Sequence, residues 1–135
     1  MMDIDHFKQI NDSMGHATGD QALAHLASVI KESLRATDVI ARYGGEEFII
    51  LLPGTAEKDA ISVITRAQRE LTRNFFMHDN NRVLITFSAG VAERRSGEAA
   101  DAVIGRTDRA LYRAKNSGRN RVIGADNMEQ AHITQ

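Results

Sequence analysis

Two consecutive glycines, Gly44 and Gly45, separate two runs of strand-forming residues and constrain the fold more than any other feature of the chain. The runs at 39–43 and 47–52 are rich in Val, Ile, Leu, Phe and Tyr, which are typical of strands. A type I′ turn needs positive φ at both central positions, and glycine adopts such angles without steric cost. We therefore predict an antiparallel hairpin with a type I′ turn at Gly44-Gly45.

The segments before this hairpin alternate between strand and helix patterns. Residues 1–5 predict the end of a strand, and helical spacing of apolar residues predicts a short helix over 7–14. The stretch 15–20 contains two glycines and predicts a loop, in which Asp20 caps a second helix. The apolar stripe of that helix is formed by Leu23, Leu26, Ala27, Ile30 and Leu34.

After the hairpin, Pro53-Gly54 ends the second strand, and Thr55 is predicted to cap a helix over roughly 57–71. We expect a turn at 79–81, one long strand over 83–92, a helix over 98–116 and a short strand over 121–123. Residues 126–135 are interpreted as a flexible tail. Interspersed helices with one antiparallel hairpin predict an α/β (α+β) sandwich with a mixed central sheet, of the palm or ferredoxin-like type.

Composition limits the classes of function. The 135 residues suit one domain, and 42% hydrophobic with 26% charged residues is typical of a globular protein. A net charge of −1 argues against binding a nucleic-acid polymer. The chain has no cysteine, which excludes disulfides and thiolate metal sites, and no apolar run approaches the ~20 residues of a membrane span. We expect a cytoplasmic segment whose parent protein carries a preceding sensor domain or membrane anchor.

Asp3 and Asp5 lie two residues apart in the first predicted strand and therefore share one face of it. Two neighbouring carboxylates indicate a Mg²⁺ site, because Mg²⁺ binds one or two carboxylates together with phosphate oxygens. The alternative is an exposed strand end with solvated acids. An EF-hand is excluded because Lys8 stands where that loop requires glycine.

Two further clusters have chemical potential. Glycine allows close approach of a phosphate to the hairpin backbone, and Glu46 and Glu47 add metal-binding or proton-accepting oxygens; the alternative is an ordinary turn. Lys115, Arg119 and Arg121 form a basic cluster that suits a triphosphate, or merely complements a helix C-terminus. Together, the acids and the basic cluster are the components of a nucleotidyl-transfer site. The five histidines show no zinc-ligand spacing.

The sequence resembles a known family at three linked places. Residues 42–48, Arg-Tyr-Gly-Gly-Glu-Glu-Phe, resemble the GGDEF signature in its GGEEF form. Residues 3–12, followed by Gly15-His16 and Gly19-Asp20, resemble the first strand and guanine-binding stretch of that family. Residues 110–115 and 118–121 resemble its final helix and strand. The sequence is therefore identified as a member of the GGDEF diguanylate cyclases, with the domain at 1–125.

The resemblance implies a reaction and a metal site. Such enzymes condense two GTP into cyclic di-GMP with release of pyrophosphate, and need an antiparallel homodimer. Asp3, the carbonyl of Ile4 and Glu46 are implied to hold Mg²⁺ or Mn²⁺. Glu46 or Glu47 is implied to help deprotonate the attacking 3′-hydroxyl, and Lys8 to stabilise charge on the reacting phosphate.

The resemblance also implies residues that contact nucleotides. Those for GTP are Asn11, Asp20 and nearby His16 at the guanine, and Gly45, Lys115 and Arg119 at the β- and γ-phosphates. Arg35 and Asp38 match the RxxD inhibitory site, at which cyclic di-GMP shuts down such enzymes, and Arg66 is a weaker candidate for the same site. The family has an opening helix before the first strand, which this chain lacks.

Three alternatives remain open at this point. A non-catalytic receptor would bind cyclic di-GMP through Arg35 and Asp38 without making it. A different palm-type nucleotidyl enzyme, such as an adenylate cyclase, would use another base. A purely structural interaction module would leave the acidic residues unexplained.

Overall fold

The computed structural model of the chain describes residues 1–126, so nearly all of the predicted tail lies outside the described residues. The strands are β1 (Met2–Ile4), β2 (Val39–Arg42), β3 (Glu47–Leu51), β4 (Phe76–His78), β5 (Asn81–Val83), β6 (Phe87–Val91) and β7 (Val122–Gly124). The helices are α1 (Phe7–Met14), α2 (His16–Glu32), α3 (Glu57–Arg73) and α4 (Ala100–Asn116). Within residues 1–126, no helix combines the length and apolar character needed to cross a bilayer.

A five-stranded sheet forms the centre of the domain, with the strand order β2-β3-β1-β6-β7. Its neighbours are antiparallel except for β6 and β7, which run parallel and are joined through α4. The four strands from β2 to β6 have the order of a ferredoxin-like arrangement, to which β7 adds a fifth. The predicted mixed sheet with packed helices is confirmed.

Helices cover both faces of the sheet. Residues from α2 and α3 form one apolar core with β1, β3 and β6, in which Phe87, Met2, Leu26 and Ile30 are fully buried. The opposite face of β6 meets α4 at Gly90. A Cβ at Gly90 would lie 2.3 Å from the backbone nitrogen of Leu111, so only glycine permits this close approach.

The hairpin at the GGEEF stretch is present, but its predicted turn type is wrong. Tyr43 N–H and Gly44 N–H both donate to the carbonyl of Glu47, at 2.8 and 3.3 Å, so Gly44, Gly45 and Glu46 form a longer loop. Neither glycine has φ in the left-handed region. A two-residue turn would have paired Tyr43 with Glu46 and moved that carboxylate into the strand ladder.

Residues 15–20 were expected to form a loop, but α2 begins at His16 and Asp20 lies inside it instead of capping it. The chain reverses at Gly15 alone, where φ is 93°. Gly19 allows the two helices to pack closely, because the absence of a side chain leaves room for Phe7 and Asn11 of α1. The second glycine of this stretch therefore serves helix packing and not a turn.

Three smaller expectations were also wrong. Thr55 does not cap α3; its hydroxyl donates to the carbonyl of Pro53 at 3.2 Å, and the carboxylate of Glu93 accepts from the N–H of Glu57 at 3.0 Å. The strand predicted over 83–92 is two strands, β5 and β6, and β4 was not predicted at all. The helix predicted from residue 98 begins at Ala100. The β4–β5 turn carries the positive φ angles, 49° at Asp79 and 65° at Asn80.

Candidate active site

Two acidic residues approach each other where β1 and β3 lie side by side. Asp3 on β1 is paired in register with Glu47 on β3, and Glu46 is the loop residue directly before that strand. Asp3 is buried, with 3% of its surface exposed, and Glu46 is half-buried. The charge on Asp3 raises the pKa of Glu46, after the larger effect of burial, so the two carboxylates lie in one electrostatic environment.

Both of these carboxyl groups are harder to ionise than usual. Burial raises the pKa of Asp3, and a hydrogen bond from Lys115 opposes that change. Burial and the neighbouring negative charge of Asp3 raise the pKa of Glu46. A pair of carboxylates that repel each other in a partly buried place is a favourable position for a divalent cation.

Two cations from the end of α4 and the following loop face these acids. Lys115 Nζ donates to Asp3 Oδ2 at 2.5 Å. The positive charge of Arg119 lowers the pKa of Asp3 and Glu46, against the dominant effect of burial. The fold therefore brings together Asp3, Glu46, Lys115 and Arg119 from three separate parts of the sequence.

Asp5 has a different environment from Asp3. It is buried, and its carboxylate accepts hydrogen bonds from the hydroxyls of Thr86 and Ser88, both at 2.7 Å, and from the backbone N–H of Asn120 at 3.0 Å. The expectation that both strand acids serve one metal site is therefore not supported for Asp5. Protein donors already satisfy its oxygens.

Sequence reasoning missed a residue that holds the hairpin loop. The guanidinium of Arg42 donates to the carbonyls of Gly44 and Gly45, with Nε contacts of 3.3 and 3.2 Å and an additional contact from Nη2 to Gly45. These bonds stabilise the loop conformation from which Glu46 projects. The arginine directly before Tyr43 was visible in the signature, but its contact with backbone atoms leaves no periodic signal.

A second part of the site lies between α1 and α2. The amide oxygen of Asn11 is buried and has no hydrogen-bond partner within residues 1–126. It lies against Gly19, where a Cβ would be 1.8 Å from it. Asp20 and His16 are exposed on the first turns of α2. A buried amide oxygen without a protein partner indicates a polar ligand that donates to it, since such an atom otherwise costs about 1–3 kcal/mol.

The remaining residues expected at this site are placed as follows. Lys8 is exposed in the first turn of α1. This helix begins directly after His6, whose backbone is left-handed. Ile4 buries its side chain in the core, so only its backbone carbonyl is available to a ligand. Gly45 is exposed, and its carbonyl accepts from Arg42.

The available oxygen donors fit Mg²⁺ or Mn²⁺. Side chains of the described residues alone do not complete the coordination shell of such an ion here. Within residues 1–126, His, Asp and Glu side chains form no group of three or more that could hold a metal ion. Two carboxylates and a carbonyl are hard oxygen donors, and Mg²⁺ commonly completes its shell with phosphate oxygens and water. The raised pKa values of Asp3 and Glu46 agree with this assignment, because a cation there would relieve their repulsion.

The RxxD residues form a separate site away from these acids. The guanidinium of Arg35 donates to Asp38 Oδ1 at 3.2 Å, to the carbonyl of Pro53 at 2.9 Å and to the hydroxyl of Thr55 at 2.8 Å. Arg66 Nη2 reaches the carbonyl of Ser33 at 3.4 Å. Arg35, Asp38 and Arg66 line one open cavity of about 250 Å³.

Burial of Asp38 favours its neutral form, but hydrogen bonds from the side chain and backbone of Arg35 outweigh that effect and lower its pKa. The side chain of Arg35 is 60% exposed and that of Asp38 only 3%. Asp38 therefore holds Arg35 in place, while the guanidinium presents its remaining surface to the cavity.

Comparison with known proteins places the chain in one family. The profile of the family described as "Diguanylate cyclase, GGDEF domain" matches residues 1–121. Diguanylate cyclase A of Treponema denticola is 41% identical over 133 residues, which are 97% of this chain and 36% of that protein. The response regulator PleD of Caulobacter vibrioides is 39% identical over 127 residues. The match covers 92% of this chain and 28% of PleD. The chain thus spans about a third of these relatives.

Solved structures agree in fold. The GGDEF domain of DgcB from Caulobacter crescentus, determined in complex with c-di-GMP, has a TM-score of 0.87 and 41% identity, covering 93% of this chain and 75% of that one. The active GGEEF domain of a diguanylate cyclase from Vibrio cholerae has a TM-score of 0.80 and 33% identity, covering 92% and 79%. On its sequence and its fold, this chain belongs to the GGDEF-domain family of diguanylate cyclases.

Proposed function

We propose that this chain is the catalytic domain of a diguanylate cyclase, spanning residues 1–125, which condenses two GTP into cyclic di-GMP. The observation that supports this most strongly is the meeting of Asp3 and Glu46 with Lys115 and Arg119. In the reaction, the 3′-oxygen of each GTP attacks the α-phosphorus of the other. Each attack forms one phosphodiester bond, releases one pyrophosphate and frees one proton.

The α1–α2 pair is proposed to select guanine. The Asn11 amide can accept from the N2–H₂ of guanine through its unpartnered oxygen and can donate to a ring acceptor through its nitrogen, and the Asp20 carboxylate can accept from N1–H and N2–H₂. Adenine has an amino group in place of O6 and lacks both donors that Asp20 would bind. His16 is exposed in the first turn of α2 and would border the same base.

The phosphates are proposed to lie between the hairpin and α4. Lys115 and Arg119 would neutralise the β- and γ-phosphates, with Arg119 able to make bidentate contacts. Gly45 has no side chain, which leaves room for phosphate oxygens beside the backbone. Lys8 would stabilise charge at the reacting α-phosphate.

Asp3, Glu46 and the Ile4 carbonyl are the residues that would hold Mg²⁺ or Mn²⁺. When bound, the metal would polarise the phosphate and stabilise the attacking oxygen. Glu46, which lies in the same electrostatic environment as Asp3, is one candidate acceptor for the proton of the attacking 3′-hydroxyl. Glu47 lies opposite Asp3 and is the other candidate acceptor.

One subunit provides one such site, and the reaction needs two GTP molecules that face each other. We therefore propose an antiparallel homodimer in which each subunit supplies one nucleotide. Catalysis then depends mainly on the positioning of the two sites. Because GTP is supplied inside the cell, the domain is expected to face the cytoplasm.

The proposal is tested by incubating the purified protein with Mg²⁺ and either GTP or ATP, and separating the nucleotides by chromatography. We expect cyclic di-GMP and pyrophosphate from GTP and no cyclic product from ATP. A cyclic product from ATP would favour the adenylate cyclase alternative. Binding of added cyclic di-GMP without product from GTP would favour a receptor.

Product inhibition is proposed to act through the cavity of Arg35, Asp38 and Arg66. Its two guanidinium groups suit the phosphates and guanine edges of cyclic di-GMP. The hydrogen bonds that lower the pKa of Asp38 also hold the Arg35 guanidinium at this cavity.

Arg35→Ala is expected to raise the concentration of cyclic di-GMP needed for half-inhibition by about tenfold or more, through the loss of a bidentate contact. The initial rate without product should stay within about twofold of normal. Arg73→Ala is the matched control, because it removes another exposed i,i+3 ion pair, with Glu70 at 3.1 Å, outside the cavity. Equal product inhibition in wild type and Arg35→Ala would contradict an inhibitory role for this cavity.

A further inference from the structure

Asp5 is a buried carboxylate at the base of the site that the reaction described above does not use. We propose that Asp5 is a positioning residue, which fixes the loop bearing Arg119 and thereby aims that guanidinium at the phosphates of GTP. This inference rests on the proposed function. It assigns Asp5 a role other than metal binding.

The backbone of the loop after α4 supports this inference. Arg119 and Asn120 have φ angles of 64° and 46°, in the left-handed region that residues other than glycine adopt uncommonly. Two such residues in succession are unfavourable unless surrounding contacts hold them. The N–H of Arg119 donates to the carbonyl of Ala114 at 3.0 Å, and the N–H of Asn120 donates to the Asp5 carboxylate at 3.0 Å.

The carboxylate of Asp5 is itself anchored to the neighbouring strand β6. The hydroxyl of Thr86 donates to one oxygen and that of Ser88 to the other, each at 2.7 Å, and the N–H of Asp5 donates to the carbonyl of Thr86 at 2.9 Å. Asp5 therefore ties three segments together: the end of β1, the start of β6 and the Arg119 loop. A short O–H···O⁻ bond on each oxygen leaves little freedom for the carboxylate to turn toward a metal.

The same arrangement relates Arg119 to the proposed metal ligands. Asp3 is two residues before Asp5, and the charge of Arg119 already acts on both Asp3 and Glu46. If the bond to Asn120 is lost, the two left-handed residues can relax to ordinary angles. Relaxation would turn the Arg119 side chain away from the position that the fold gives it, while Asp3 and Glu46 stay in place.

A double-mutant cycle tests the coupling between the two residues. Asp5→Asn keeps the size of the side chain but removes its charge and one acceptor oxygen, which weakens the charge-assisted bond from the Asn120 N–H. The probe is 3′-deoxy-GTP with Mg²⁺, which has no attacking hydroxyl, and the measurement is its dissociation constant. Asp5→Asn and Arg119→Ala are each expected to weaken binding by about tenfold, and the double variant no more than Arg119→Ala alone.

A second pair of variants leaves the carboxylate intact. Asn120→Val disfavours the left-handed angle and is expected to weaken binding as Asp5→Asn does, while Asn120→Gly keeps wild-type affinity. The Mg²⁺ concentration for half-maximal binding should stay normal in Asp5→Asn and rise in Asp3→Asn. Thermal melting of every variant confirms that it is folded.

Three results would overturn the role of Asp5: additive effects of Asp5→Asn and Arg119→Ala, equal affinities of Asn120→Val and Asn120→Gly, or a raised Mg²⁺ requirement in Asp5→Asn. The third would make Asp5 a metal ligand. Failure of the wild-type protein to bind 3′-deoxy-GTP would instead count against the proposed function.

Discussion

Glu46→Ala is expected to reduce the formation of cyclic di-GMP from GTP by about a thousandfold or more, because it removes one of only two carboxylates proposed to hold the metal. Glu46 projects from a loop that Arg42 holds through the carbonyls of Gly44 and Gly45. Glu47 is held in the strand ladder opposite Asp3, and we do not expect it to take over the position that Glu46 occupies in the loop before that strand. Initial rates with GTP and Mg²⁺, followed by chromatography, measure the effect.

The control for this variant is Glu32→Ala, which removes an exposed carboxylate at the end of α2 and should leave the rate unchanged. Turnover of Glu46→Ala within about threefold of wild type would contradict the proposed role of Glu46, given that a direct ligand contributes much more. Restored activity in Mn²⁺ but not in Mg²⁺ would agree with a weakened metal site.

Substitution of Glu46 should raise the stability of the protein while it abolishes activity. Burial and the neighbouring charge of Asp3 raise the pKa of Glu46 above its usual range, so between the unfolded and folded pKa values the folded state binds more protons than the unfolded state. The free energy of unfolding therefore falls as the pH rises through that window. Above the window, the ionised Glu46 disfavours folding throughout. Glu46→Gln removes this charge and should melt at a higher temperature than wild type at pH 7, while it is inactive.

Gly19→Ala is expected to weaken GTP binding by about tenfold or more, since the proposed hydrogen bonding between Asn11 and guanine would be misplaced. The added Cβ would lie 1.8 Å from Asn11 Oδ1 and 3.3 Å from the ring of Phe7. Both side chains come from α1, so Asn11 must turn away or the two helices must separate. Equilibrium binding of 3′-deoxy-GTP and of 3′-deoxy-ATP separates a loss of guanine recognition from a general loss of phosphate binding.

Gly105→Ala is the matched control for this substitution. Gly105 also lies within a helix, but a Cβ there would meet Arg109 Nη1 at 3.6 Å, which is an ordinary contact. It should stabilise α4 slightly, by up to about 1 kcal/mol, with normal binding. Wild-type affinity for GTP in Gly19→Ala would show that Asn11 does not read the base.

The sequence predicted the parts of the fold that depend on local pattern. The alternation of apolar residues gave the sheet, its hairpin and the four helices, because period and burial are linked directly. The details that depend on contacts with distant residues were missed. The Gly44-Gly45 loop adopts its shape because Arg42 bonds to its carbonyls, and no rule for isolated turns includes that contact. Helix α2 extends back to His16 because Gly19 fits against α1.

In the site, too, local sequence pattern does not reveal the contacts with distant residues. Sequence spacing alone treated Asp3 and Asp5 alike, because residues two apart share a face of a strand. Their roles diverge through partners that lie more than 80 residues away: Lys115 for Asp3, and Thr86, Ser88 and Asn120 for Asp5. Only the arrangement of strands and loops around β1 distinguishes Asp3, which meets Lys115, from Asp5, whose oxygens accept from Thr86, Ser88 and Asn120.

The central claim is that Asp3 and Glu46 hold one divalent cation beside the triphosphate. Electron paramagnetic resonance of Mn²⁺, titrated into the protein with saturating 3′-deoxy-GTP, tests it without reference to turnover. We expect Mn²⁺ to bind the wild-type complex and its affinity to fall by more than about tenfold in both Asp3→Asn and Glu46→Gln. Equal affinity for Mn²⁺ in the wild-type protein and in both variants would contradict the claim.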